Sequence, residues 1–171
     1  SLVGSEMCIR DRLDTGGGKG AGYARNLAVA HVLTPYVTFL DADDCMVNTA
    51  LEMLVKGIAL APEAGYVYGN NWTVDTGGVI GTSNVGIYHQ HELFKRNLHA
   101  ITALVPTSFA KQVPFEEDVL WEDWVFFREL AIRGICGVKV NTPVIAYRLT
   151  SSINRVEAVS YTHLTLPTIY S

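Results

Sequence analysis

Phe39-Leu40-Asp41-Ala42-Asp43-Asp44 decides how the rest of this chain is read. The run leading into it, Tyr36-Val37-Thr38-Phe39-Leu40, is rich in β-branched and aromatic residues and predicts a short buried strand. Three carboxylates then follow within four positions. If the strand is parallel, they stand at the carboxyl edge of a sheet, where open α/β folds bind ligands. On an extended chain residues i and i+2 point the same way, so Asp41 and Asp43 can converge on one partner. Like charges so close repel unless a cation neutralises them, and a hard divalent cation carrying phosphate oxygens suits them. The plainer alternative is an acidic turn that caps the helix after it.

Both ends of the chain read differently from its middle. Glu6 to Asp11 back-translates to GAG ATG TGT ATA AGA GAC, which resembles a transposon end used in sequencing libraries. Val159 to Leu164 back-translates to the reverse complement of the same oligonucleotide in another frame, and Thr165-Leu166-Pro167-Thr168 continues into the adapter. Residues 1–12 and 159–171 are therefore expected to be adapter-derived, and residues 13–158 to form one domain. On that reading Cys8 is foreign, leaving Cys45 and Cys136, which make no disulfide framework and fit a reducing, cytoplasmic setting. The net charge of -4 and the lack of any basic run argue against nucleic acid as a partner. No apolar run reaches the roughly 18 residues of a membrane span, although peripheral membrane association stays open.

Within 13–158 the signals alternate between helix and strand. Ala21 to Val32 predicts a helix whose small face, Ala21, Ala24 and Ala28 with Leu27, lies close to a sheet. Thr49-Ala50-Leu51-Glu52 has capping-box spacing, and Leu51, Leu54, Val55 and Ile58 give the apolar face of the next helix. Tyr66 to Gly69 reads as a strand, and Asp75-Thr76-Gly77-Gly78 as the turn of a hairpin. Short elements are expected at Glu92–Asn97 (helix) and Ile101–Val105 (strand). Trp121 to Arg133 predicts a substantially buried helix that nevertheless opens on Glu122-Asp123. Gly137 to Tyr147 reads as one or two strands broken by Pro143. The sum is an α/β sheet with helices on both faces and a β-hairpin insertion.

Three blocks, in order, make the chain resemble the family 2 glycosyltransferases of GT-A fold. They are Lys19-Gly20-Ala21-Gly22-Tyr23-Ala24-Arg25-Asn26-Leu27, the Asp-x-Asp stretch Phe39 to Asp44, and Trp121-Glu122-Asp123-Trp124 followed by Tyr147-Arg148. The resemblance implies a nucleotide-sugar donor, UDP- or another NDP-sugar, and an acceptor hydroxyl on a glycan, lipid or other molecule. It implies Mn2+ or Mg2+ at Asp43, with Asp41 orienting the ribose or a metal-bound water, and Asp123 as the base in an inverting transfer. Arg25 and Arg148 are expected at pyrophosphate or nucleotide groups. Asp44 either shares this work or caps the following segment. Many members carry a histidine soon after Tyr-Arg; here Leu149-Thr150-Ser151-Ser152 follows, leaving Arg148 or Ser152 for phosphate. The family's opening strand, helix and strand are not matched, so the chain as written is expected to be a fragment without activity.

Other features invite weaker readings. Gly16-Gly17-Gly18-Lys19-Gly20 lacks the Ser or Thr a phosphate-binding loop needs after its lysine and is expected to be a turn. His89, His91 and His99 have no metal-ligand spacing. Trp72, Trp121 and Trp124 belong to packing or to sugar stacking. A strand ending in Asp-x-Asp also marks aspartyl-phosphate phosphohydrolases, but Cys45 stands where that class has Thr or Val, and the Glu-Asp helix would have no task. A non-catalytic sugar-binding module is the third alternative.

Overall fold

Tyr66 and Tyr68 are buried on one face of a strand and Val67 on the other, and this alternation divides the core in two. The computed structural model describes residues 13–148. The two adapter-like ends and Ser152 lie outside the described residues. The strand is β3 (Tyr66–Asp75), which pairs in parallel with β6 (Gly137–Arg148) and antiparallel with β4 (Gly78–Ser83). β2 (Cys45–Met46) joins the far side of β6, giving the order β2-β6-β3-β4. The hairpin forms as expected, with Asp75 Oδ1 accepting the Gly77 N–H at 2.7 Å and Gly78 at φ +119°. Pro143 does not break β6. It lies opposite Asn70, where the β3–β6 register slips, because proline cannot donate to the ladder.

Helices cover both faces. Helix α2 (Ala50–Leu60) packs Leu54 and Gly57 against Val67 and Val140. Its buried line is Ala50, Leu54 and Gly57, while the expected Leu51 and Val55 are exposed. The capping box does not form either. Thr49 makes no side-chain cap, and Glu52 pairs with Lys56 at 2.5 Å, one turn on. On the other face α5 (Glu122–Ile132) sets Phe126, Phe127 and Leu130 among Tyr66, Tyr68 and Phe115. α3 (Gln90–Lys95) is tied to α5 by the Trp124 indole N–H, which donates to the Leu93 carbonyl at 2.6 Å.

Helix α1 (Gly20–His31) corrects the expected small-residue face. Ala21 and Ala28 are exposed, and the helix instead buries Gly22 and Val29. It packs beside α4 (Thr107–Gln112), a short helix the sequence did not announce, and beside α5. The strand before the acids is shorter than expected and runs antiparallel to its partner: β1 (Tyr36–Val37) pairs with β5 (Val105–Pro106). Phe39 is buried against Phe115 and Phe126, whereas Tyr36 and Leu40 stay exposed, so the run is buried on one side only. The expected strand at 101–105 is reduced to its end, where Leu104 bridges Val67 through two backbone hydrogen bonds of 2.8 and 3.0 Å. That bridge sets β1 and its acids beside the main sheet.

Candidate active site

The acids do not lie on an extended chain. After β1 the backbone turns at Ala42-Asp43, and the Asp44 N–H donates to the Asp41 carbonyl at 3.1 Å. This turn separates what the i, i+2 reading expected to converge. Asp41 lines a cavity of about 250 Å³, and Asp43 is exposed outside its lining. Asp44 is buried, also lines the cavity, and accepts the Arg148 N–H at 3.0 Å.

Asp123 reaches the same cavity from the first turn of α5. Its Oδ1 accepts the N–H of Trp124 at 2.8 Å, one of the donors a helix start leaves unused. Its Oδ2 accepts from Asn97 Nδ2 at 3.0 Å. Burial raises its pKa above the ordinary carboxyl value; the Trp124 and Asn97 donors oppose that, Glu122 adds to it, and Arg25 opposes it. Asn71, His99, Trp121 and Tyr147 complete much of the wall. His99 is buried between Tyr68 and Phe127 and shares a hydrogen bond of 3.1 Å with the Tyr66 hydroxyl. Burial lowers its pKa to about 4, so the ring is neutral. Trp121 has φ +69°, the left-handed region that bulky residues seldom adopt.

Arg25 connects the two motifs. Its Nη2 donates to Asp41 at 2.7 Å and its Nη1 to Glu122. Burial works against the guanidinium charge, but the two carboxylates outweigh it and raise its pKa. Next to it Asn26 clasps the backbone of Phe115, accepting its N–H at 2.8 Å and donating to its carbonyl at 2.9 Å. The Ala-Arg-Asn segment therefore works as a bracket. Arg148 is exposed, outside the cavity lining, and its guanidinium stands 3.6 Å from Cys45 Sγ.

Of the residues expected from sequence, Asp41 and Asp123 share one cavity with Asp44, and Arg25 joins Asp41 to the start of α5. Asp43 and Arg148 stand outside it. Asn71, Asn97 and His99 had no functional signal in the sequence.

These elements have known counterparts. The profile of glycosyl transferase family 2 matches residues 12–123. The chain belongs to this family. A structure of S. aureus TarS 1–349 in complex with UDP-GlcNAc is similar over 78% of this chain and 40% of that one, with 16% identity and a TM-score of 0.60. A second structure of S. aureus TarS 1–349 is similar over 75% of this chain and 40% of that one, with 15% identity and a TM-score of 0.56. The chain thus spans 40% of the length of these structures, and the likeness shows a shared GT-A fold. Comparison with curated proteins finds no match.

The described residues contain no group of three or more His, Cys, Asp or Glu that could hold a metal, and no helix long and apolar enough to cross a membrane. One exposed carboxylate beside a cavity still fits a cation of the magnesium kind, which takes one or two carboxylates and fills its shell with phosphate oxygens and water.

Proposed function

We propose that the complete protein to which this chain belongs transfers a sugar from a nucleotide-sugar donor to an acceptor hydroxyl with inversion, the chain itself spanning 40% of the similar structures. The reading rests on one observation: Asp41 and Asp123, from two separate sequence motifs, line a single cavity and are joined through Arg25 and Glu122. Asp123 takes the proton from the acceptor hydroxyl. Its partly buried setting makes the carboxylate a stronger base than an exposed one, which general-base work near neutral pH needs. Asp41 orients the donor ribose or a metal-bound water, and Arg25 serves the donor by fixing Asp41. Arg148, exposed at the end of β6, would serve the donor's phosphate groups. Asp43 would hold Mn2+ or Mg2+, whose chemistry is to neutralise negative charge on a departing diphosphate. The donor is a UDP- or other NDP-sugar; UDP-GlcNAc, found with TarS, is the first to try.

Titration calorimetry with UDP-GlcNAc, with and without Mn2+, and release or transfer of labelled sugar test this. Asp43→Asn is expected to weaken metal-dependent donor binding. Asp123→Asn is expected to bind donor nearly as well but to slow transfer by roughly 100-fold or more. Unchanged turnover in the Asp123 variant removes it as base. Saturable binding without turnover in the complete protein favours the sugar-binding module instead. Family membership sets aside the phosphohydrolase alternative.

A further inference from the structure

Asn97 lies in none of the three motifs, yet its side chain meets Asp123. It follows α3 on a segment with little freedom. Leu98 and His99 beside it are buried, and the Trp124–Leu93 hydrogen bond ties the preceding helix to α5. The Asn97 amide therefore approaches Asp123 from a fixed backbone, with Nδ2 3.0 Å from Oδ2. Its own Oδ1 is buried with no hydrogen-bond partner among the described residues. An orphaned buried acceptor is destabilising, and a residue serving packing alone would avoid it.

We propose that Asn97 is the positioning residue for Asp123, holding and aiming the carboxylate by a neutral hydrogen bond at Oδ2. The inference rests on Asp123 acting as the base. Neutrality is the point of the choice. A lysine or arginine here would form a buried ion pair and disable the carboxylate as a proton acceptor. Without this second donor beside the Trp124 N–H, desolvation would raise its pKa further. The neighbouring cation, Arg25 on α1, is already engaged by Asp41 and Glu122. The other titratable groups facing Asp123 are Glu122 on its own helix and Asp41, Asp44, His99 and Tyr147 around the cavity.

The test is carboxyl-carbon NMR titration of the full chain, with the Asp123 signal assigned by its loss in Asp123→Asn. Asn97→Ala should raise the Asp123 midpoint by about one pH unit, the scale of one hydrogen bond to a charged group. Asn97→Asp, nearly the same shape, should raise the titration of the pair further, because two carboxylates would then share the site. Thermal melts accompany both variants. In turnover assays the acidic limb of kcat/KM should move to higher pH by the same amount. A lowered melting temperature with an unmoved Asp123 midpoint in both variants overturns the proposal and leaves Asn97 a structural residue. If turnover survives in Asp123→Asn while the midpoints still shift, the contact stands but the base assignment fails. The two failures are therefore distinguishable.

Discussion

Asn26 shows how a motif residue can serve the site without touching a substrate. Its amide closes on both backbone groups of Phe115, and its Nδ2 also lies 3.1 Å from Glu117 Oε1. Asn26→Ala removes these bonds and strands part-buried backbone groups, so the expected loss is about 2–3 kcal/mol, read from urea unfolding. Asn26→Asp keeps the acceptor and loses the donor, and should fall between the two. Arg25, Asp41 and Asp123 were legible because each lies in a short pattern tied to an element boundary. Asn97 was not legible, since an asparagine two residues past a short helix is ordinary and its contact with Asp123 exists only in three dimensions. Asp43 stands outside the cavity lining. Alternation assumes an extended chain, and Ala42-Asp43 is a turn. The left-handed backbone of Trp121 likewise has no signature in a run of Leu, Trp and Glu.

Helix α1 depends on close approach, but through a different residue from those the small-residue reading selected. A Cβ built on Gly22 would stand 2.1 Å from the carbonyl oxygen of Glu116, which is backbone and cannot swing aside. Gly22, Arg25, Asn26 and Val29 lie at helical spacing, so one face meets the 115–117 segment and carries the ion pairs. Gly22→Ala should therefore force α1 outward. We expect a loss of about 1–3 kcal/mol in thermal unfolding, the usual range for overpacking, together with weakened donor binding as Arg25 leaves Asp41. A variant with unchanged stability would show that the segment relaxes freely. Helix existence and type were legible from periodicity at α1, α2 and α5. Which face is buried was less so. Alanine and leucine fit several environments, and the neighbours that decide between them, Val67, Val140 and the 115–117 backbone, are distant in sequence.

His99, buried, and Asp123, partly buried, give the folded chain an acid response that neither the sheet order nor any motif reveals. His99 takes up a proton near pH 6.5 when unfolded, but in the folded chain not until about 4, because its ring is buried among aromatics. Between those values the unfolded state binds more protons, so His99's contribution is present above about 6.5 and is lost as pH falls through about 4. A shift of that size is worth roughly 3 kcal/mol. Asp123 has the opposite sign. Its raised pKa keeps a proton on the folded chain after the unfolded one has released it, so its contribution is present below the ordinary carboxyl value and fades as pH rises through the raised one. The two partly cancel on acidification, with His99 acting over the interval that reaches neutral pH. Urea midpoints measured from about pH 7 down to about 4 should fall in the parent and flatten in His99→Gln. In Asp123→Asn they should fall more steeply, because the opposing term is gone. A slope that persists in the His99 variant would move the acid response to carboxylates elsewhere, and the neutral histidine at the cavity wall would then be a packing residue without a part in it.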